Sequence, residues 1–457
     1  MSSHDPQELR RGLDNRHVQL MAIGGAIGTG LFMGSGKTIS LAGPSIVITY
    51  AVIGFMLFFV MRAMGELLLS NTQYKSFIDF ASDLLGDWAG YFVGWTYWLC
   101  WIVTAVADVI GIASYVHFWL PDLNSWLPVL SAILLFLALN LAAVKLFGEL
   151  EFWFALIKIV AIAGLIVLGL YMIATGFTSP TGTTASFANF WNHGDLFPKG
   201  LMGFFAGFQI AVFAFVGIEL AGTTAAEVKN PEKNLPKAIN SIPLRIIFFY
   251  VFSLIIIMSV SPWDQIVPEQ SPFVTMFVLA GIPIAASLVN FVVLTSASSA
   301  ANSGVFSTSR MLYGLAEKKV IPACFAKLSS NSVPANALIF SCLCVLLAYG
   351  VLSLMPTAMA AFTVITTVAA ILFIFVWSII LISYMVYRRR SPELHAKSNF
   401  KMPGGIVMCY VVLSFFAFIL VLLTLEKDTL TALLYTPLWF VLLAFGYYLS
   451  TKKRKTA

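Results

Sequence analysis

Long apolar stretches alternate with short polar segments along the whole chain, and this pattern predicts membrane-spanning helices. Each apolar stretch has about 20 residues or more, the length that a helix needs to cross roughly 30 Å of hydrocarbon. We number the stretches as spans 1 to 12 and place them at 18–41, 44–70, 88–119, 126–147, 150–176, 199–226, 241–261, 283–314, 335–354, 357–385, 404–426 and 430–451. The pattern therefore predicts an all-α integral membrane protein with twelve transmembrane helices.

Composition and charge fix the expected orientation. The chain is 59% hydrophobic and 11% charged, whereas soluble domains have about 25% charged residues. All but four of its 27 Lys and Arg residues fall in the tails and in every second loop, the exceptions being Lys37, Lys158, Lys199 and Lys427. The positive-inside rule then predicts that the tails 1–17 and 452–457 are both cytoplasmic. The polar N-terminal tail does not resemble a cleavable signal peptide.

The same orientation explains the basic clusters Arg388-Arg-Arg and Lys452-Lys-Arg-Lys, so no nucleic-acid partner is needed to explain them. Docking to lipid or protein is the alternative reading, and nothing indicates an obligate protein partner. No segment between spans is long enough for a nucleotide-binding domain. The sequence thus favours a carrier driven by an ion gradient, without a cofactor and without a metal site.

Span 1 contains the glycine-rich stretch GGAIGTGLFMGSGKT, residues 24–38. It is not a phosphate-binding loop, because Leu31 stands where that motif needs its first glycine. One explanation is close helix packing, since Gly24 and Gly28 have the spacing of small-residue contacts. The other is an unwound segment near the middle of the membrane, where free backbone groups bind a ligand.

Span 6 supports the second explanation. Gly217 and Glu219 lie deep in an otherwise apolar stretch, as expected of a second broken helix. Spans 1 and 6 are five apart, so a second five-helix unit would start on the opposite side of the membrane, as in carriers built from inverted repeats. We therefore predict repeats at 18–176 and 199–385, followed by two further helices at 404–451.

Three runs carry a family resemblance: RHVQLMAIGGAIGTGLF from residue 16, FAFVGIE from residue 213, and STSRMLYGLA from residue 307. They resemble the amino-acid transporters of the amino acid–polyamine–organocation superfamily. This resemblance implies a LeuT-like 5+5 inverted repeat with discontinuous helices 1 and 6. It also implies proton symport by alternating access across the bacterial cytoplasmic (inner) membrane.

The expected ligand is an amino acid, whose two charges are both unfavourable in hydrocarbon. A break in a helix offers free carbonyls to the ammonium group and free N–H groups to the carboxylate. By position in the family, the carboxylate is assigned to the amides of Thr29 and Gly30, and the ammonium to the carbonyls of Ile27, Phe213 and Val216. Gly28, Ala214 and Gly217 complete the predicted substrate-binding set.

Asp108 is the single acid within span 3. It shares a helix face with Thr104, Gly111 and Tyr115, because these residues follow one another at steps of three or four. A carboxylate at this depth is costly unless it has a function. We predict a ligand-facing or proton-binding role, with a buried structural pair or a protonated acid as the alternative.

Lys158 lies about 12 Å from the cytoplasmic end of span 5, at 1.5 Å per residue. Desolvation makes the proton of such a lysine easier to release, and in the family this lysine occupies the place of sodium in sodium-coupled relatives. We predict that it couples transport to protons, with a fixed structural charge as the alternative. Its candidate partners on span 8 are Ser296, Ser299 and Ser303, which the sequence does not separate.

Three further charges are candidates for coupling or gating. Glu219 follows the predicted break in span 6, and a structural cap is an equal alternative for it. Arg62 and Glu66 are four residues apart in span 2, so a local ion pair is favoured over a cytoplasmic gate.

The leading functional hypothesis is import of small neutral amino acids, namely glycine, D-alanine, D-serine and, as a further candidate, L-alanine. A permease of the same family for proline, 4-aminobutyrate or an aromatic amino acid is the alternative. A channel or a nutrient-sensing transceptor is a more distant one. An enzyme is not indicated, since no nucleophile–base pair or metal-ligand spacing is present.

Overall fold

The computed structural model describes residues 27–71, 73–74, 76–142, 144–220, 230–317, 321–329 and 333–456. In these ranges the chain is helical throughout, apart from loops and one isolated bridge between Thr178 and Thr184. The described part contains nine helices long and apolar enough to span a membrane and two shorter apolar helices. The prediction of an all-α membrane protein is confirmed. The tail 1–17, the start of span 1 and the end of span 6 lie outside the described residues.

Most predicted spans correspond to one helix each. Spans 2 to 5 lie in Ile46–Ser70, Asp87–His117, Trp126–Ala142 and Val144–Thr175. Spans 7 to 12 lie in Pro231–Val260, Pro283–Glu317, Ala335–Val345 with Leu347–Leu354, Ala358–Arg390, Gly405–Leu422 and Lys427–Thr456.

One boundary differs from the sequence prediction. The span 7 helix begins ten residues earlier than predicted, at Pro231. Proline fits the first turn of a helix, since its missing N–H would have no intrahelical acceptor there. Polar residues thus extend this helix beyond its apolar part.

Spans 1 and 6 are not single regular helices in the described residues. Ile27 and Gly28 form a bend, after which span 1 continues as Thr29–Phe32 and Gly34–Ala42. Span 6 begins as the α-helix Gly200–Ala211 and continues as the 3-10 turn Val212–Phe215. These two irregular regions pack against each other.

The core forms around span 3, whose helix packs against spans 8 and 10. Span 2 packs against span 7, and span 6 packs against spans 1 and 2. By contrast, span 12 exposes a row of large apolar side chains: Leu434, Tyr435, Leu438, Val441, Leu442 and Phe445. A surface of this size and polarity is stable when hydrocarbon covers it. The described helices therefore form a buried centre within a lipid-facing shell.

A short amphipathic helix, Phe77–Leu85, follows span 2. Ser76 and Asp79 form a capping box at its start, which satisfies backbone N–H groups that a helix leaves free. Burial and the nearby carboxylate of Asp83 raise the pKa of Tyr74 to about 12. Its hydroxyl therefore stays protonated at neutral pH and donates to Asp83 at 2.5 Å.

Candidate functional site

The bend in span 1 presents a helix N-terminus inside the bundle. Gly28 has an extended backbone, with φ −138° and ψ −156°. Its carbonyl accepts hydrogen bonds from the amides of Leu31 and Phe32, both at 3.2 Å. The first N–H groups of a helix have no intrahelical acceptor and carry partial positive charge. This end of span 1 can therefore bind an anionic group.

Asp108 of span 3 lies against this N-terminus. Its Oδ1 accepts a hydrogen bond of 2.7 Å from Thr29 Oγ1, and the carboxylate also receives the Thr29 amide. The side chain is 1% exposed, and Oδ2 has no hydrogen-bond partner among the described residues. A buried carboxylate oxygen without a donor is unfavourable. It is suited to accept a proton or a cationic ligand.

Three glycines in the region differ in the space around them. A Cβ at Gly30 would lie 2.7 Å from Ala214 Cα, so span 1 approaches span 6 too closely for any side chain there. A Cβ at Gly111 would lie 2.7 Å from Thr29 Cγ2, so this glycine lets Thr29 pack on span 3. Among the described residues, a Cβ at Gly28 would have Asp108 and Ala300 as its nearest neighbours, both at 3.9 Å. A methyl group would therefore fit at Gly28 at ordinary contact distance, whereas Gly30 and Gly111 leave no room for one.

The irregular part of span 6 ends at Val216 and Gly217. Val216 is extended, and Gly217 has φ +99°, a conformation that favours glycine. The Glu219 carboxylate accepts from the Gly217 amide at 3.2 Å and from the Tyr97 hydroxyl at 3.3 Å. Glu219 therefore holds the turn to span 3.

The carbonyls of this turn are partly engaged. Phe213 accepts from the Val216 amide at 3.1 Å. Ala214 accepts from the Tyr250 hydroxyl at 2.7 Å, which ties the turn to span 7. Because a carbonyl oxygen has two lone pairs, Phe213 can still accept a second donor.

Span 8 and span 5 complete the region. Ser296 Oγ donates to the Ile27 carbonyl at 3.2 Å, which places this serine on the span 1 bend. Ser299 is buried and Ser303 is half-buried. Lys158 is 1% exposed and interacts electrostatically with Asp108. The structure thus brings Ile27, Thr29, Asp108, Lys158 and Ser296 together.

Arg62 and Glu66 lie away from this site, near the C-terminal end of the span 2 helix. Arg62 interacts electrostatically with Glu66, but its hydrogen bonds go to Asn240 Oδ1 and the Lys401 carbonyl. Glu66 is fully buried and accepts from His395 Nδ1 and from the Met402 amide. Both residues therefore contact the segment that follows span 10 rather than the centre of the bundle.

Sequence reasoning did not identify Tyr97, Tyr250 or His395. Tyr97 lies eleven residues before Asp108, which is about three helical turns, so helix periodicity could have placed both on one face. Tyr250 and His395 are distant in sequence from their partners, and no local pattern indicates those contacts.

A cavity of about 430 Å³ lies beyond the site toward the end of span 3. Tyr115 and Asn290 form part of its wall, together with Glu269 and Thr275 from the segment before span 8. Tyr115 follows Asp108 by two turns, or about 10 Å at 1.5 Å per residue. The cavity wall at Tyr115 therefore lies about two helical turns along span 3 from Asp108.

A membrane-embedded bundle with helix ends, a buried acid and a buried lysine at its centre is typical of secondary transporters. The described helices and this site therefore define the class as a membrane transport protein. The chain belongs to the amino acid permease family, which it matches over residues 17–457.

Individual relatives agree with that assignment. The chain is 69% identical over 448 residues to the D-serine/D-alanine/glycine transporter of Escherichia coli O6:H1, covering 98% of this chain and 95% of the relative. It is 68% identical to the transporter of the same name from strain K12, with the same coverage. It is 42% identical over 456 residues to the DL-alanine permease SerP2 of Lactococcus lactis, covering 99% and 98%. The prediction of an amino-acid transporter of this superfamily, rather than an enzyme, is confirmed.

Proposed function

We propose that this protein imports small neutral amino acids by proton symport and alternating access. The proposed substrates are glycine, D-alanine and D-serine, with L-alanine as a further candidate. The names of the relatives support these substrates. The observation that carries the proposal is the contact between Thr29 and the buried Asp108, because it places a titratable group at a helix N-terminus inside the bundle.

The proposed architecture has twelve transmembrane helices, the first ten forming two inverted repeats. The irregular regions of spans 1 and 6, five spans apart and in mutual contact, support it. The proposed location is the bacterial inner membrane, with both termini in the cytoplasm, on the basis of the Lys and Arg distribution.

The proposed binding mode places the substrate beside Gly28, where a Cβ would meet described neighbours only at ordinary contact distance. Its carboxylate receives the Gly30 amide, and the Thr29 amide if Asp108 gives up that contact. Its ammonium contacts Asp108 Oδ2 and the carbonyls of Ile27, Phe213 and Val216. Ala214 and Gly217 shape the opposite wall. Recognition through the ammonium and carboxylate alone suits substrates with a small side chain or none.

The proposed coupling group is Lys158. Its burial and its electrostatic interaction with Asp108 connect the protonation of one residue to the charge of the other. Ser296 links span 8 to the Ile27 carbonyl, so a change in charge here acts on the span 1 bend. Glu219 is proposed to shape and gate the span 6 turn, and Ser299 and Ser303 to line the path beside Lys158.

A competition experiment tests the substrate class. In proteoliposomes with an inward proton gradient, unlabelled glycine, D-alanine and D-serine are expected to block uptake of labelled glycine, whereas proline and phenylalanine are not. The names of the relatives are the reason for the expected order. Uptake that is independent of the gradient, or blocked best by phenylalanine, would contradict the proposal.

A substitution of Gly28 by alanine tests the position of the substrate. The extended backbone accepts any residue, and the new methyl group would make only ordinary contacts with the protein. It would, however, occupy the space proposed for the substrate. We expect KM for glycine to rise roughly tenfold or more, with an unchanged amount of folded protein in the membrane.

The matched control is Gly164→Ala, because Gly164 lies in the span 5 helix and a Cβ there has nothing within 4 Å. It should transport as the unmodified protein does. If Gly28→Ala has the same KM as this control, the substrate does not lie beside Gly28.

A further inference from the structure

A cluster at the inner end of span 2 joins three parts of the chain. Glu66 is 0% exposed, and its two carboxylate oxygens accept from His395 Nδ1 at 2.5 Å and from the Met402 amide at 2.7 Å. Residues 391–404, between the helices of spans 10 and 11, are called the latch segment below. Both donors belong to it, so one buried carboxylate of span 2 holds the latch segment in place.

Arg62 adds a second connection. Its guanidinium lies 3.8 Å from the centre of the Phe400 ring and donates to the Lys401 carbonyl, both in the latch segment. It also donates to Asn240 Oδ1 of span 7 at 2.8 Å. Gly65 allows close packing here, because a Cβ there would lie 2.7 Å from Phe400. The latch segment thus packs tightly on spans 2 and 7.

These contacts join two groups of helices. Spans 2 and 7 pack with each other, and span 2 also packs with span 6, which carries the substrate-site turn. The latch segment continues span 10, which packs on span 3. A movement of one group relative to the other at this end must break the contacts of Glu66 and Arg62 or carry the latch segment along.

We propose that His395 and Glu66 form a pH-sensitive latch that slows transport when the cytoplasm becomes acidic. A histidine changes its charge between about pH 5 and pH 8. Neutral His395 donates its Nδ1–H to the carboxylate, and protonation converts this contact into a charge-assisted hydrogen bond, which is roughly twice as strong. The latch therefore strengthens as pH falls and weakens as pH rises.

The other charged and titratable groups near Glu66 do not give this response. Arg62 and Arg388 stay positively charged at all physiological pH values. Tyrosine and cysteine titrate above neutral pH, and those that interact with Glu66 are Tyr384, Tyr387 and Cys409. The latch segment also carries Glu393, Lys397 and Lys401, and side chains of these two types ordinarily titrate outside the range of histidine.

The proposed orientation places the end of span 2 that carries Glu66 in the cytoplasm. For this location alone, the inference rests on the proposed function. Import together with protons acidifies the cytoplasm. A latch that closes in acid would therefore limit uptake when the proton load rises.

The test uses exchange of labelled for unlabelled glycine in right-side-out membrane vesicles, with equal substrate on both sides so that no net proton flow is needed. Outer pH is kept constant and inner pH is lowered from about 7.5 to about 5.5, the range of histidine titration. The exchange rate of the unmodified protein is expected to fall by roughly threefold to tenfold, as for a hydrogen bond that gains a charge.

The decisive variant is His395→Asn, whose amide nitrogen can replace Nδ1 as a donor but cannot become charged. We expect its exchange rate to change much less with inner pH. The matched control is His193→Asn, because His193, between spans 5 and 6, faces Asp264, between spans 7 and 8, at 3.3 Å in another histidine–carboxylate pair. This control should keep the pH response of the unmodified protein.

Two outcomes would overturn the latch. One is His395→Asn retaining the full response to inner pH, and the other is His193→Asn losing it equally. In either case glycine exchange itself continues, so the proposed transport function would stand. An absence of glycine exchange in the unmodified protein would instead contradict the proposed function.

Discussion

Substitution of Gly30 by valine is expected to abolish substrate binding. Any Cβ at this position would lie 2.7 Å from Ala214 Cα and 3.0 Å from the Phe213 ring, so the backbone of span 6 must move. The Gly30 amide and the span 6 carbonyls would then no longer face a common ligand. Displacements of about 1 Å at a binding site can cost roughly a hundredfold, and we expect at least that loss of glycine affinity in a scintillation-proximity assay.

Gly164→Val controls for the general effect of a branched side chain in a membrane helix, because nothing lies within 4 Å of a Cβ at Gly164. Elution as a single species in detergent would show that Gly30→Val still folds. An affinity equal to that of the control would refute the placement of the site at the contact between spans 1 and 6.

The second large effect is expected for Lys158→Gln, which should remove accumulation against a concentration gradient. The ammonium group is buried and acts on Asp108, so glutamine leaves the acid without its nearby positive charge. In proteoliposomes with an inward proton gradient, we expect glycine to equilibrate slowly or not at all rather than to accumulate.

The variant Lys158→Arg distinguishes a lysine that exchanges its proton during transport from one that supplies only a fixed positive charge. Arginine keeps the positive charge but does not release its proton in proteins. If Lys158 exchanges a proton during transport, the arginine variant should also fail to accumulate glycine. Accumulation restored by arginine would show that a permanent charge is sufficient, and accumulation by Lys158→Gln would exclude any coupling role.

Individual residues show how much of the candidate site can be predicted from local sequence patterns. The glycines and Asp108, the single acid of span 3, were visible in the sequence because each is unusual in an apolar stretch. The contact of Ser296 with the Ile27 carbonyl was not visible, because Ser296, Ser299 and Ser303 lie near one face of the same helix. The approach of the span 1 bend creates this hydrogen bond.

Arg62 and Glu66 are residues for which the local pattern predicted the wrong hydrogen-bond partners. Their spacing of four residues favours a local pair, and an electrostatic interaction is present. Their hydrogen bonds nevertheless go to residues more than 170 positions away in the chain. A buried carboxylate needs donors, and the sequence does not reveal which distant backbone or side chain supplies them.

The sequence by itself determined the all-helical membrane class, the position of most helices and the family, because hydrocarbon imposes a minimum length and polarity on every crossing segment. Tertiary structure decided which polar groups meet: Thr29 with Asp108, Tyr250 with Ala214, and His395 with Glu66. The reason is physical, since a buried polar group is satisfied by whichever donor or acceptor the packing brings within 3 Å or so. That packing depends on the shapes of distant helices, and no local pattern in the chain records it.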